Sequence, residues 1–217
     1  MPDTHFANPP DMDAAASASQ AQWVRFFDEY AGFIFGIARN VGLSDADADE
    51  IVQTVMLELV GDNAASRYDK SLGPFQSWLS RLTIWRARNL RLRNIRRENA
   101  HKAAGEAEKA EKAAVPLQTI DKELEQAIED EWMATVTAAA LDRLRSEVNP
   151  THFQAYYASA IQKMDAEAIS RLCGVKPNNL YQIRRRVGAR FRVILEETMR
   201  YLDEPRLPPA AYEADNR

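Results

Sequence analysis

The sequence predicts an all-α protein built from two small helical domains. Three observations support this. Apolar residues recur at three- and four-residue spacing through most of the chain. The 217 residues hold only 8 glycines and 10 prolines, several of the prolines near the ends. One internal stretch changes abruptly to Ala, Glu and Lys. Long helical periodicity with little turn punctuation argues against an all-β fold, whose short strands need frequent turns. A chain that is 46% hydrophobic and 28% charged can bury a core, and its length suits two domains better than one. The expected division is an unstructured arm over residues 1–20, a first domain over 21–98, a linker over 99–119, a second domain over 120–203 and a tail over 204–217.

The arm is rich in Ala, Ser, Asp and Pro, with too little apolar surface to offset the cost of ordering it. Its Asp3, Asp11 and Asp13, without early Lys or Arg or a continuous apolar run, do not read as a signal peptide. Structure is expected to begin near Trp23. From there Trp23, Phe26, Phe27, Tyr30, Phe33, Ile34, Ile37, Ala38 and Val41 form one apolar helix face that ends at Gly42. Ser44 followed by Asp47 resembles a capping box, with Asp in the place of Glu. Ala48, Ile51, Val52, Val55, Met56 and Leu59 then give a second stripe. Its opposite face is acidic, with Asp45, Asp47, Asp49, Glu50, Gln53 and Glu58.

Gly61 to Gly73 reads as a polar loop carrying Asn63, Ser66, Arg67, Tyr68 and Lys70, and Pro74 is placed to open the next helix. Phe75, Trp78, Leu79, Leu82 and Ile84 supply that helix's buried side. Arg81, Arg86, Arg88, Arg91, Arg93, Arg96 and Arg97 load its far half with positive charge. Beyond the Ala/Glu/Lys linker, Leu124, Ile128, Trp132, Val136, Ala140 and Leu144 mark a long helix with an acidic start. Asn149-Pro150 is an N-cap followed by proline at the first helical position, introducing Phe153, Tyr156, Tyr157 and Ile161. Asp165 caps a short helix with Ile169 and Leu172, Gly174 makes a tight turn, and Pro177 starts a last helix running to about Leu202.

The formal charge of -4 and pI near 5.5 argue against a nucleic-acid partner if charge is averaged, so its distribution decides. From Lys176 to Arg192 there is no acidic residue. Ile169, Leu172, Val175, Leu180 and Ile183 are spaced to pack two helices together. That leaves Lys176, Asn178, Asn179, Tyr181, Gln182, Arg184, Arg185 and Arg186 facing outward. Asn and Gln pair with adenine edges and Arg with guanine or phosphate, so a short helix, a glycine turn and this second helix read as a DNA-binding helix-turn-helix. The basic helix of the first domain, beside Tyr68, suggests a second nucleic-acid surface. Trp85 lies off the main apolar stripe and either faces a strand or packs under the first helix.

The remaining chemistry is sparse. One cysteine, Cys173, excludes an internal disulfide and a Cys-rich zinc site and fits a reducing cytoplasm. His5, His101 and His152 are scattered. No Ser-His-Asp set, phosphate loop or carboxylate pair stands out, so neither enzyme activity nor a cofactor is expected. No stretch is expected to span a bilayer.

Asp47-Ala48-Asp49-Glu50-Ile51-Val52-Gln53 resembles region two of extracytoplasmic-function RNA polymerase sigma factors. Tyr68-Asp69, then Gly73-Pro74-Phe75-Gln76-Ser77-Trp78-Leu79, then the run from Arg91 to Arg97, are similar in order and spacing to that family's promoter-melting helix. Asp165 to Arg192 resembles its region four. The resemblance covers about Trp23 to Glu197, leaving out the linker and both tails. It implies docking of Asp49, Glu50 and Gln53 on the polymerase clamp helices. It also implies capture of unpaired minus-ten bases by the segment carrying Asn63, Arg67, Tyr68, Trp85, Arg86, Asn89, Arg93, Arg96 and Arg97. Region four would read the minus-thirty-five element as duplex. Core RNA polymerase, promoter DNA and an anti-sigma factor are the partners that follow. Trp85 and Arg86 stand where many relatives carry a small residue and Asn, and Ser170 replaces the usual Ala. Two rival readings are a dimeric helix-turn-helix regulator that never meets polymerase and a helical adaptor or anti-sigma-like protein. The first leaves the region-two residues unexplained, and the basic recognition helix speaks against the second.

Overall fold

A computed structural model describes residues 12–61, 68–101 and 122–203, and the side chains of 20–60, 68–97 and 122–203. The expectations for residues 1–11, for the 99–119 linker beyond His101 and for the 204–217 tail, and those for Asn63 and Arg67, lie outside the described residues. Among the described residues the protein is all-α, with no strand. Helices α1 (Met12–Asn40), α2 (Asp45–Gly61) and α3 (Phe75–His101) come first, with a 3-10 turn at Lys70–Leu72. Helices α4 (Lys122–Glu147), α5 (Pro150–Ala160), α6 (Ala166–Cys173) and α7 (Pro177–Asp203) follow. They divide into two compact units, the first holding α1, α2 and α3 from Ser77 onward, the second α4 to α7.

The first unit is organised by α1. Phe26, Tyr30, Phe33, Ile34, Ile37, Ala38 and Val41 are buried, as their spacing requires. Phe27 is not. It stands about 100° around the helix from Phe26 and is 45% exposed. The helix also starts at Met12, ahead of the expected Trp23. Ala14, Ala15, Ala16, Ala18 and Ala21 have the highest helix propensity, so an established helix extends through them at little cost. Gly42, at φ +94°, ends the helix. Arg91 of α3 donates from Nη1 to the Val41 carbonyl at 3.0 Å, and Arg39 donates to the Leu43 carbonyl. A cation at this end also suits the helix dipole.

The α2 cap is reciprocal: the Asp47 backbone N–H donates to Ser44 Oγ at 3.2 Å, and that hydroxyl donates to Asp47 Oδ2 at 2.8 Å. The α2 stripe Ala48, Ile51, Val52, Val55, Met56 and Leu59 is buried throughout. In α3, Phe75, Leu79, Ile84, Ala87 and Leu90 are buried with Ser80 and Thr83, whose hydroxyl donates to the Leu79 carbonyl at 2.8 Å. Trp78 and Leu82, expected inside, are only half-buried.

In the second unit α4 buries Ile128, Trp132, Val136, Ala140 and Leu144, a strict four-residue repeat. Asn149 Oδ1 accepts from the Thr151 and His152 backbone N–H groups, and Pro150 follows at the first turn of α5. Asp165 caps α6 by accepting from the Ala168 N–H at 2.7 Å. Gly174 takes the left-handed conformation, φ 65°, ψ 23°, that a residue with a Cβ adopts only with strain. The α6–α7 turn therefore closes within Gly174–Lys176. Ile169, Val175, Leu180, Ile183, Val187 and Ile194 join Leu144, Ala155 and Tyr156 in one core. Leu172 does not join it and is 61% exposed. Cys173, one turn after Ile169, takes the inward place and is partly buried against the core, leaving Leu172 beside it facing out.

The Ser170 hydroxyl of α6 is buried and has no hydrogen-bond partner among the described residues. An unmade hydrogen bond on a buried hydroxyl costs about 1–3 kcal/mol. Ser170→Ala is therefore expected to raise stability by about 1 kcal/mol, read as a rise in the urea midpoint at unchanged slope. A fall would show that the hydroxyl is satisfied.

Candidate nucleic-acid interface

The surface of the first unit divides by charge. On α2, Asp49, Glu50, Gln53 and Leu57 are exposed along one stripe, at i, i+1, i+4 and i+8. The other acidic residues of that helix are engaged within the unit. Asp45 pairs with Arg39 at 2.9 Å, and Asp47 Oδ1 accepts from Asn94 Nδ2 at 3.2 Å. Glu58, with its side chain 9% exposed, pairs with Arg86 at 2.7 Å. The broad acidic face thus narrows to Asp49, Glu50 and Gln53. Glu50 touches Arg93 of α3 only loosely, at 3.8 Å with both side chains more than half exposed, an arrangement that contributes little to stability.

Helix α3 presents the basic side. By the 3.6-residue period Arg81, Trp85, Asn89 and Arg96 share a face, with Arg93 about 80° around from Trp85. Arg81, Trp85, Arg93, Arg96 and Arg97 are exposed and Asn89 is half-buried. Arg86 departs from the expected set of outward cations, because its guanidinium is turned onto Glu58. Arg91 of the same run is committed to the end of α1. Neither role was readable in the sequence, since Glu58 and Arg86 lie 28 residues apart and Val41 and Arg91 lie 50 apart.

Tyr68 stands at the head of α3. Its hydroxyl donates to the Gly73 carbonyl at 3.2 Å, and its ring lies 5.9 Å from the Trp78 ring at a tilt of 51°. Beside it Asp69 caps the 3-10 turn by accepting from the Ser71 N–H at 2.8 Å. Hydrogen bonds from Ser71 hold the Asp69 carboxyl below the usual carboxylate range. The turn thus anchors the end of the loop to α3, and Tyr68 with Trp78 makes an aromatic pair there.

In the second unit Lys176, Asn178, Asn179, Tyr181, Gln182, Arg184, Arg185 and Arg186 are all exposed, Tyr181 at 66%. Buried Leu180, Ile183 and Val187 hold α7 from the other side. Arg184 and Arg185 form no ion pair among the described residues. Arg186 Nη2 lies 3.1 Å from His152 Nδ1. Arg190 donates from Nε to Glu147 Oε2 at 2.7 Å, and Glu147 also accepts from Arg143 at 2.9 Å. The Arg190 guanidinium, followed by Arg143, holds the Glu147 carboxyl below its ordinary range. Arg143 further pairs with Glu197 at 2.7 Å, so the C-terminal end of α4 is tied to α7 along its length.

Among the described residues no group of His, Cys, Asp and Glu could hold a metal ion, and no helix is long and apolar enough to cross a membrane. No curated protein matches the chain. Residues 26–101, which run from the first core aromatic of α1 through the acidic stripe of α2 to the end of the basic helix α3, match the family described as Sigma-70 region 2 and support a sigma-70 family member.

Proposed function

We propose that the protein is a bacterial sigma factor of the extracytoplasmic-function kind, which binds core RNA polymerase and directs initiation at a specific set of promoters. The observation that carries this reading is the division of surface within residues 26–101, the segment that matches Sigma-70 region 2. An exposed acidic and polar stripe, Asp49, Glu50 and Gln53, remains on α2 after the neighbouring carboxylates are paired. Exposed arginines and Trp85 line α3. A DNA-binding unit that keeps Asp49 without an ion pair among the described residues, and Glu50 only loosely paired, so close to its arginines needs a separate, basic protein partner for them, and the clamp of core polymerase is that partner. Helix α3 with Tyr68 and Asn89 then holds the melted non-template strand of the minus-ten element, aided by Asn63 and Arg67. Helix α7 enters the major groove of the minus-thirty-five element as the second member of a helix-turn-helix. Linking two modest DNA sites in one chain raises the combined affinity through effective concentration.

In-vitro transcription with sigma-free core polymerase and a genomic promoter library tests the reading. Wild type is expected to start transcripts at a defined promoter set. Glu50→Lys combined with Gln53→Ala is expected to lower core affinity at least tenfold while leaving duplex-DNA binding by α7 intact. A wild type that neither binds core nor starts transcripts, yet binds palindromic duplex as a dimer, would replace this reading with the regulator that acts without polymerase.

A further inference from the structure

Arg86 is drawn away from the exposed arginines of α3 into a three-residue chain with Glu58 and Trp85. We infer that Glu58 and Arg86 are positioning residues that hold the Trp85 indole as a one-sided stacking platform for an unpaired base. The inference deepens the promoter-opening reading above and rests on it.

Glu58 Oε2 accepts from Nε of Arg86 at 2.7 Å, and Arg86 Nη2 stands in ion-pair contact 2.7 Å from the same oxygen. The Glu58 side chain is 9% exposed and that of Arg86 30%. A carboxylate so far removed from water depends on its cation, and a guanidinium hydrogen-bonded through Nε with Nη2 against the same oxygen is held by that edge. The Arg86 Cζ atom lies 4.3 Å from the centroid of the Trp85 ring, within cation–π range. Arg86 therefore occupies one side of the indole, while Trp85 keeps 44% of its surface exposed. Trp85 shares its helix face with Arg81, Asn89 and Arg96, and Arg86 stands about 100° around, toward α2.

The ring, not the guanidinium, is thus what α3 offers to a strand. A phosphate contact by Arg86 would leave the Glu58 carboxylate buried and unpaired. A base stacking on the open side of the indole needs no such rearrangement, and any of the four bases has the π-face required. Fixing the ring beforehand lowers the rotamer entropy lost on binding.

The test titrates a short fluorescein-labelled non-template strand, taken from a promoter chosen in the transcription experiment, against the full chain bound to core at several salt concentrations. Trp85→Ala is expected to weaken binding about tenfold. Glu58→Gln is expected to weaken it about threefold, although removing a negative charge beside a polyanion would on electrostatics alone tighten it. Arg86→Ala and Arg86→Lys are expected to match Glu58→Gln with an unchanged salt slope, since Lys keeps the charge but not the planar fork. Glu58→Gln is expected to add nothing in a Trp85→Ala background. Core affinity of each variant reports whether the first unit remains folded, and Arg86→Lys serves should Glu58→Gln lose it. Equal or tighter binding by Glu58→Gln, or a salt slope lower by about 0.7 in Arg86→Ala, would overturn the proposal and make Arg86 a phosphate contact. Failure to bind core would count against the sigma-factor reading alone. The same titrations on the free full chain then decide the platform, and no strand binding there overturns it.

Discussion

Arg184→Ala combined with Arg185→Ala is expected to lower affinity for a selected promoter duplex about a hundredfold. Both side chains are exposed on α7 without an ion pair among the described residues, so nothing within the unit is lost with them. Alanine is the better helix former, and the α7 core residues Leu180, Ile183 and Val187 are untouched. Each guanidinium that reads a guanine edge contributes about 1–3 kcal/mol of discrimination. Each that neutralises a phosphate contributes about 0.9 to the slope of log affinity against log salt. Holoenzyme titrations on the selected duplex and on an unrelated one separate the two roles. Loss confined to the selected duplex identifies base readers, and equal loss on both with a shallower slope identifies phosphate contacts. An unchanged affinity would remove α7 from the promoter interface.

The second large effect is on folding. Phe33→Ala is expected to destabilise the first unit by about 3–5 kcal/mol, the cost of deleting a large aromatic from a closed core. Phe33 has no exposed surface and lies on the same α1 face as Tyr30, Ile34 and Ile37, which are equally enclosed. Small domains are stable by only about 5–15 kcal/mol, so the variant should lose much of its core-polymerase affinity near physiological temperature. Phe27→Ala is the matched comparison, since Phe27 is 45% exposed on the same helix. Urea titration checks both. A loss below about 1 kcal/mol for Phe33 would mean that this face of α1 is not the core of the unit.

Much of this architecture was legible from residue order alone, because it depends on interactions within a few turns of helix. The stripes of α1, α2 and α4, the Ser44–Asp47 box, the Asn149 and Asp165 caps and the Gly174 turn are all local in this sense. The outward set on α7 followed as the complement of the buried set. Where two neighbouring apolar residues compete for one inward place, spacing was less decisive. Phe27 and Leu172 were expected inside and are exposed, and Trp78 was expected inside and is half-buried. Which of two adjacent residues wins depends on what packs opposite, and that is not written in the helix itself.

Charge shows the same limit more sharply. By itself the sequence determined that α2 carries an acidic face, that α3 and α7 are basic, and that the two helical segments are separated by a change of composition, because composition and period are properties of the chain. Only the tertiary structure decided which charges remain available. It turned Arg86 onto Glu58, Arg91 onto the end of α1 and Arg190 onto Glu147, and it left Asp49, Arg184 and Arg185 without ion pairs among the described residues. The physical reason is distance: an ion pair or a hydrogen bond forms only where two groups meet within about 4 Å, and the partners here lie 28 to 50 residues apart in the chain.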